Sequence, residues 1–336
     1  MDSLTHFAIG ACIGDLFLGK RIGRKAMLYG AIAASLPDVD FIVSFWLGPA
    51  DNLLAHRGFT HSFLFGILAV LALAFILRKR HFADKVPVKI WLAFMGTEIF
   101  VHLFLDSLNA YGVGWFEPFN HYRVSFNVIF VADPFFSVWP GVSVIFLLIL
   151  KHNFRKRRRW AVFGLVVSFL YLIYCLSNKF SIENAARIEL ARQGINYNRH
   201  FTTPTPFNNW LWFIVAETDS GFQIGYRSVF DKHSHIEFRY YPRNANLLNP
   251  FYSQEDLQKL IRFSQGYFTA DSSSNGIEFN DLRFGQVMGW QNSEAPFVFH
   301  FYLQQPAANL MVVQRGRFAN WNRATIRAFI RRIRGN

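Results

Sequence analysis

Apolar runs at roughly 7–18, 26–47, 62–77, 88–105, 136–150 and 160–177, separated by short loops, constrain this 336-residue chain more than any other feature. A helix that crosses a bilayer needs ~20 mostly apolar residues and tolerates ~17. The second, fourth and sixth runs meet that length, while the third and fifth need their flanks. The first is short, glycine-rich and carries Asp15, which suits a half-helix or re-entrant segment buried against its neighbours. With 52% hydrophobic residues, 39 of them phenylalanine, and only 17% charged, the chain points to lipid contact rather than an unusually greasy soluble core.

The loops alternate in charge. Loop 19–25 carries Lys20, Arg21, Arg24 and Lys25; loop 78–87 carries Arg78, Lys79, Arg80 and Lys85; loop 151–159 carries Lys151, Arg155, Lys156, Arg157, Arg158 and Arg159. Between them, 48–61 holds only Arg57 and 106–135 only Arg123. Basic loops stay in the cytoplasm, so this pattern predicts six membrane-embedded segments with three cytoplasmic loops. The amino terminus, loops 48–61 and 106–135, and everything after 177 fall outside. The net charge of +13 is used up by this bias. No basic stripe with interleaved aromatics or known motif marks a nucleic-acid partner. Residues Met1 to His6 lack a basic leader and no small-residue cleavage site follows, so no cleavable signal peptide is expected. Cys12 and Cys175 are too few for a disulfide framework and read as buried bystanders.

After about 178 the character changes. Ser181 to Arg192 reads as a helix continuing off the membrane, and Thr202 to Pro206 as a break. Strands are expected at Trp210–Glu217, Gly221–Phe230, His235–Tyr241, Gly276–Phe284 and Phe297–Leu303, with helices at Leu257–Gln265 and Arg323–Ile333. The predicted organisation is therefore an α-helical integral membrane bundle, residues 1–178, followed by an external soluble α+β domain, residues 179–336.

Ionisable residues beside apolar runs are costly and mark functional sites. His6, Asp38, Asp40, His56, His61, His102, Asp106 and Asp133 all fall on the outer side of this topology. His102 and Asp106 are four apart on a helical segment and share a face, with Glu98 one turn deeper as a partner that would orient the His102 ring. The ordinary alternative is a hydrogen-bonded pair that stabilises the bundle. His56 and His61 flank Gly58, which permits a turn that brings the rings together; idle, solvated loop histidines are the alternative. Asp38 and Asp40 follow Pro37, which should break its helix there. Capping carboxylates are the ordinary reading, weakened because two acids within a span repel unless a cation neutralises them. Arg57 could hold a substrate anion or anchor a headgroup. Glu117 could act as a base or sit as an interfacial carboxylate, and His121 is as readily a surface histidine. No zincin, serine-hydrolase or P-loop motif is present.

Thr5-His6, Leu36-Pro37-Asp38-Val39-Asp40, His56-Arg57-Gly58-Phe59-Thr60-His61-Ser62, His102 with Asp106 and Tyr111-Gly112, and Pro118-Phe119 together resemble the membrane-bound metal-dependent hydrolase family. These are the YdjM-like inner-membrane proteins of bacteria, also known as domain of unknown function 457. The resemblance covers residues 1 to about 150 in five ordered blocks, and the tail resembles that of the longer, YfhP-like members. Thr5-His6 and the Pro37-Asp38 pair are more distantly similar to zinc-dependent phospholipase C.

Imidazole and carboxylate donors suit one or two divalent ions, Zn²⁺ foremost. The expected ligands are His6, Asp38, His56, His61, His102 and Asp106, with Asp40 bridging or acting as general base, Arg57 as anion clamp and Glu117 as a further catalytic candidate. The expected activity is hydrolysis of a lipid ester, phosphoester or lipid-linked phosphodiester at the outer interface. A non-enzymatic, metal-stabilised scaffold whose external domain binds a protein partner is the main alternative. A metal transporter ranks last, because its ligands should run through both leaflets and these gather in one.

Overall fold

Asp2 accepts the Thr5 backbone N–H at 3.0 Å and so caps a continuous helix α1 (Ser3–Ile22), where the sequence suggested a half-helix. This computed structural model describes residues 1–80, 86–150, 154–274, 276–304 and 321–335; Lys85 and Lys151 lie outside them. Helix α2 (Lys25–Ala34) returns along α1 through small residues. A Cβ built on Gly30 would collide with the Gly10 carbonyl, and one on Gly14 with the Ala26 carbonyl. Such close backbone approach is how helices associate where lipid removes the hydrophobic drive.

Pro37 ends that run, as its missing N–H and ring predict. A 3-10 segment, Pro37–Phe45, leaves α2 at a bend of 60°. The short helix α3 (Pro49–Ala55) and a 3-10 turn, Phe59–His61, lead at a 53° bend into α4 (Phe63–Arg80). Then come α5 (Val88–Ser107), α6 (Pro134–Ile149) and the long α7 (Phe154–Arg192). Two described helices, α5 and α7, are long and apolar enough to cross a membrane; the number reaches four if each bent pair makes one span, and α6 is a shorter apolar helix. The N-terminal region is thus helical with two to four candidate spans among the described residues, fewer than the six expected. Leu18, Ala33, Trp91, Phe94, Met95 and Ile99 form its main core. Arg157 reaches inward to Asp15 and donates to the Leu147 carbonyl at 2.6 Å, so one member of the basic loop neutralises the acid of the first run.

The chain divides into two compact units, Met1–Phe45 with Ala55–Cys175, and Trp46–Leu54 with Leu176–Asn336. Within the second, Lys259 pairs with Asp51 at 2.7 Å. Its sheets are antiparallel. One has the order β1 (Arg199–Pro204), β2 (Leu211–Glu217), β3 (Gly221–Ser228), β4 (Arg239–Pro242); the other runs β5 (Phe268–Ser273), β6 (Gly276–Gln286), β7 (Phe297–Tyr302). Phe213, Val215, Phe222, Leu282 and Phe297 pack between the sheets, while Trp212 and Ile214 meet Ile182 and Ala186 of α7. Strand β2 is therefore buried on both faces. Strands β1 and β5 were not expected, and β4 is shorter than the expected His235–Tyr241. Helix α8 (Glu255–Phe263) and a last helix, Arg323–Ile333, complete the described fold.

Candidate metal centre

The 3-10 geometry after Pro37 points Asp38 and Asp40 in different directions. The turn before His61 depends on Arg57, whose φ of 56° is left-handed; Gly58, expected to supply that freedom, has φ −87°. Arg57 is held there by its own N–H, which donates to Asp40 Oδ2 at 2.7 Å. Helix α5 presents His102 and Asp106 one turn apart, both buried.

One donor atom from each of Asp38, His61, His102 and Asp106 lies within 4.8 Å of all the others. His102 Nδ1 is 2.5 Å from the Ala34 carbonyl oxygen, which can only accept, so the proton sits on Nδ1 and Nε2 carries a lone pair. His61 Nδ1 is 3.4 Å from Asp40 Oδ2 and 3.0 Å from Thr60 Oγ1. Thr60 Oγ1 donates its own proton to Asp40 Oδ2 at 3.4 Å and so accepts from His61 Nδ1–H, which again leaves Nε2 as the lone-pair nitrogen. The two Nε2 atoms stand 3.1 Å apart. Asp106 Oδ2, buried and ion-paired with Arg57 Nε at 3.0 Å, lies 3.3 Å from one and 3.5 Å from the other. Asp38 Oδ1 is 3.5 and 3.6 Å from the same pair. Three of the four donors are buried and Asp38 is part exposed. Arg57 and the amino terminus offset the charge of Asp106, while the two Nε2 atoms and Asp38 Oδ1 face one another with no cationic side chain of the described residues between them. A tetrahedral site with 2.0–2.2 Å bonds has donor–donor edges of ~3.3–3.6 Å, so these residues fit one divalent ion.

The remaining expected residues surround that set. His6 Nε2 contacts Asp106 Oδ1 at 3.0 Å, and its ring stacks on His102 with centroids 4.0 Å apart. It lies outside the four-donor group and against two of its members. Asp40 stands behind His61 and the Arg57 N–H. His56, its side chain 37% exposed, lies 3.3 Å from Asp40, with its ring centroid 6.4 Å from that of His61. Arg57 is buried; its Nε is 3.0 Å from Asp106 Oδ2, and it donates to Asn109 at 2.9 Å and to the Met1 carbonyl at 3.2 Å. The amino-terminal ammonium also contacts Asp106. Glu117 accepts from His121 Nδ1 at 2.7 Å, outside the four-donor group.

Two assignments change. Glu98 does not orient His102, because the Ala34 carbonyl does; both Glu98 oxygens are buried without a partner. Asp133 caps α6 through the Phe135 and Phe136 N–H groups and accepts from Tyr171 at 3.0 Å. Sequence reasoning missed Asn109, although its place three residues after Asp106 was a signal. It also gave Arg123 no role beyond topology, whereas that side chain donates to the His56 carbonyl at 2.5 Å.

Comparison with known proteins agrees with this architecture. Inner membrane protein YbcI of Escherichia coli (strain K12) is 36% identical over 145 residues, which cover 42% of this chain and 75% of that protein. The uncharacterized protein YfhP of Bacillus subtilis (strain 168) is 28% identical over 173 residues, covering 45% of this chain and 51% of its own length. The chain thus spans about half of YfhP. No solved structure matches. The sequence model of the YdjM inner membrane protein family matches residues 1–182, the region that carries every donor described above, and the chain belongs to that family.

Proposed function

We propose that this protein is a metal-dependent hydrolase of the bacterial inner membrane, acting on a lipid ester, lipid phosphoester or lipid-linked phosphodiester at the outer interface. The observation that carries this reading is the convergence of two imidazole lone pairs and two carboxylates from three separate segments, Asp38, His61 and the His102–Asp106 pair. Asp38, His61, His102 and Asp106 would hold one divalent ion, Zn²⁺ by preference. Bound there, it supplies Lewis acidity, which activates water near pH ~7 and polarises the scissile group.

The protein's own groups do the rest. Asp40, through the Thr60 hydroxyl, fixes the tautomer of His61, and the Ala34 carbonyl fixes that of His102. Arg57, committed to Asp106, Asn109 and Met1, neutralises Asp106 and takes no part as a substrate clamp. His56, oriented by Asp40 and part exposed, is placed to carry a proton between the site and water. Glu117 belongs to the interfacial loop.

In the same reading α1, the two bent pairs, α5, α6 and α7 are six membrane-embedded segments, and the C-terminal domain is external. The lysine and arginine asymmetry supports this, as does the Lys259–Asp51 pair, which ties loop 48–61 to that domain. A scaffold whose external domain binds a protein is the second reading. It is favoured by the all-protein donor set, the closed pattern of structural zinc.

The test is metal analysis of detergent-purified wild type and His102→Ala, with incubation on labelled phospholipids and lipid-linked phosphates with and without chelator. Metal-dependent product from wild type alone is the expected result. A fully metallated wild type that turns over nothing in a broad panel would favour the scaffold.

A further inference from the structure

Arg155, Arg158 and Arg159 line a groove of about 480 Å³ on α7 together with Val162, Phe163 and Val166. Spacings of three, four and seven put these residues on one helical face, basic at its start and apolar along its length. All three arginines are exposed. Among the described residues none meets a carboxylate, since Asp15 is taken by Arg157, which turns inward. The apolar wall is exposed too and continues through Leu170 and Ile173, so it joins the lipid-facing surface of a membrane-crossing helix.

We propose that this groove seats one anionic phospholipid, its headgroup phosphate on the arginines and its acyl chains along the wall. From Arg155 to Val166 the helix rises ~16 Å, about half the ~30 Å hydrocarbon thickness, which is the depth of one leaflet. Guanidinium forks match phosphate oxygens and bind them more strongly when partly shielded from water. A zwitterionic lipid brings a cation beside its phosphate and gains less. A free phosphate would satisfy the arginines but leave the apolar wall uncovered, whereas a lipid covers both. This site is independent of the metal centre and of its chemistry.

The full chain, reconstituted in mixed phosphatidylcholine and phosphatidylglycerol bilayers, is probed with spin-labelled forms of each lipid. Wild type should retain the phosphatidylglycerol label in preference. The triple variant Arg155→Gln, Arg158→Gln, Arg159→Gln should lose that preference by roughly fivefold per arginine, with Arg157 left in place. Val162→Trp with Val166→Trp should release the label while the arginines remain. Equal selectivity in the triple variant would overturn the site. So would displacement of the label by soluble glycerol phosphate as effective as by lipid, which identifies a simple anion site. If the triple variant does not fold, salt decides: wild-type selectivity must weaken between 0.1 and 1 M as the screening length falls from ~10 to ~3 Å, and constancy would sink the proposal.

Discussion

Asp38 and Asp40 are two residues apart and face different partners. Both were legible as costly carboxylates beside a proline, but only the 3-10 backbone separates them, one facing the lone-pair nitrogens and the other standing behind His61. Sequence spacing carries no signal for that distinction, nor for the Ala34 carbonyl, since a backbone acceptor has no residue type to read. His6 and His56 were grouped with the ligands for the same reason: composition reveals the donors available, while direction comes from packing. Asp40→Asn should therefore keep the protein folded but lower metal affinity by ~10–100-fold, the usual effect of losing a partner that orients a ligand. Asp38→Asn removes a donor and should cost more. Competition with a chelating dye measures both, and equal losses in the two variants would refute the division of roles.

The helical elements were legible because long apolar runs have few alternatives, and Pro37 announced its own break. The strands that were missed or misjudged, β1, β4 and β5, are all sheet edges. Edge strands carry polar residues and proline, as in Thr202-Thr203-Pro204 and Asp271-Ser272-Ser273, so the alternating pattern fades where pairing is one-sided. Glu217, at the end of β2, shows what fixes one such edge. Burial alone would raise its pKa, but bonds from Arg199 on β1 and from Arg243 outweigh it and hold the carboxyl below its ordinary 4.5. A depressed folded value adds stability above the unfolded pKa and loses it as pH falls through the folded one. The melting temperature of the second unit should thus drop below about pH 4.5, and Glu217→Gln should flatten that drop. Among the helices, the α1–α2 contact also sets the metal centre. Gly30→Val must part the two helices and move the Ala34 carbonyl away from His102. Overpacking of this kind typically costs ~1–3 kcal/mol. Metal affinity should fall with stability, whereas Gly96→Ala, where an added Cβ meets nothing within 4 Å, should leave both unchanged.

At the scale of the whole molecule the question is which face of the membrane carries the C-terminal domain. The proposed orientation, with that domain and loop 48–61 outside, rests on the chain's charge asymmetry. The unit that joins Trp46–Leu54 to Leu176–Asn336 adds a separate requirement, that the two share a side whichever side it is. Gly48 is exposed with nothing within 4 Å of an added Cβ, Glu255 is 83% exposed, and the native Cys12 and Cys175 are buried and should stay silent. Gly48→Cys and Glu255→Cys should therefore both react in intact cells with a thiol reagent that cannot cross the membrane. A cysteine at Arg78, at the basic end of α4, should react only after permeabilisation. If Gly48→Cys and Glu255→Cys both required permeabilisation, the orientation would be inverted and the candidate metal centre would face the cytoplasm, although the shared side would survive. If only one of the two reacted in intact cells, the pairing of Asp51 with Lys259 would be wrong, and Trp46–Leu54 would not belong with Leu176–Asn336.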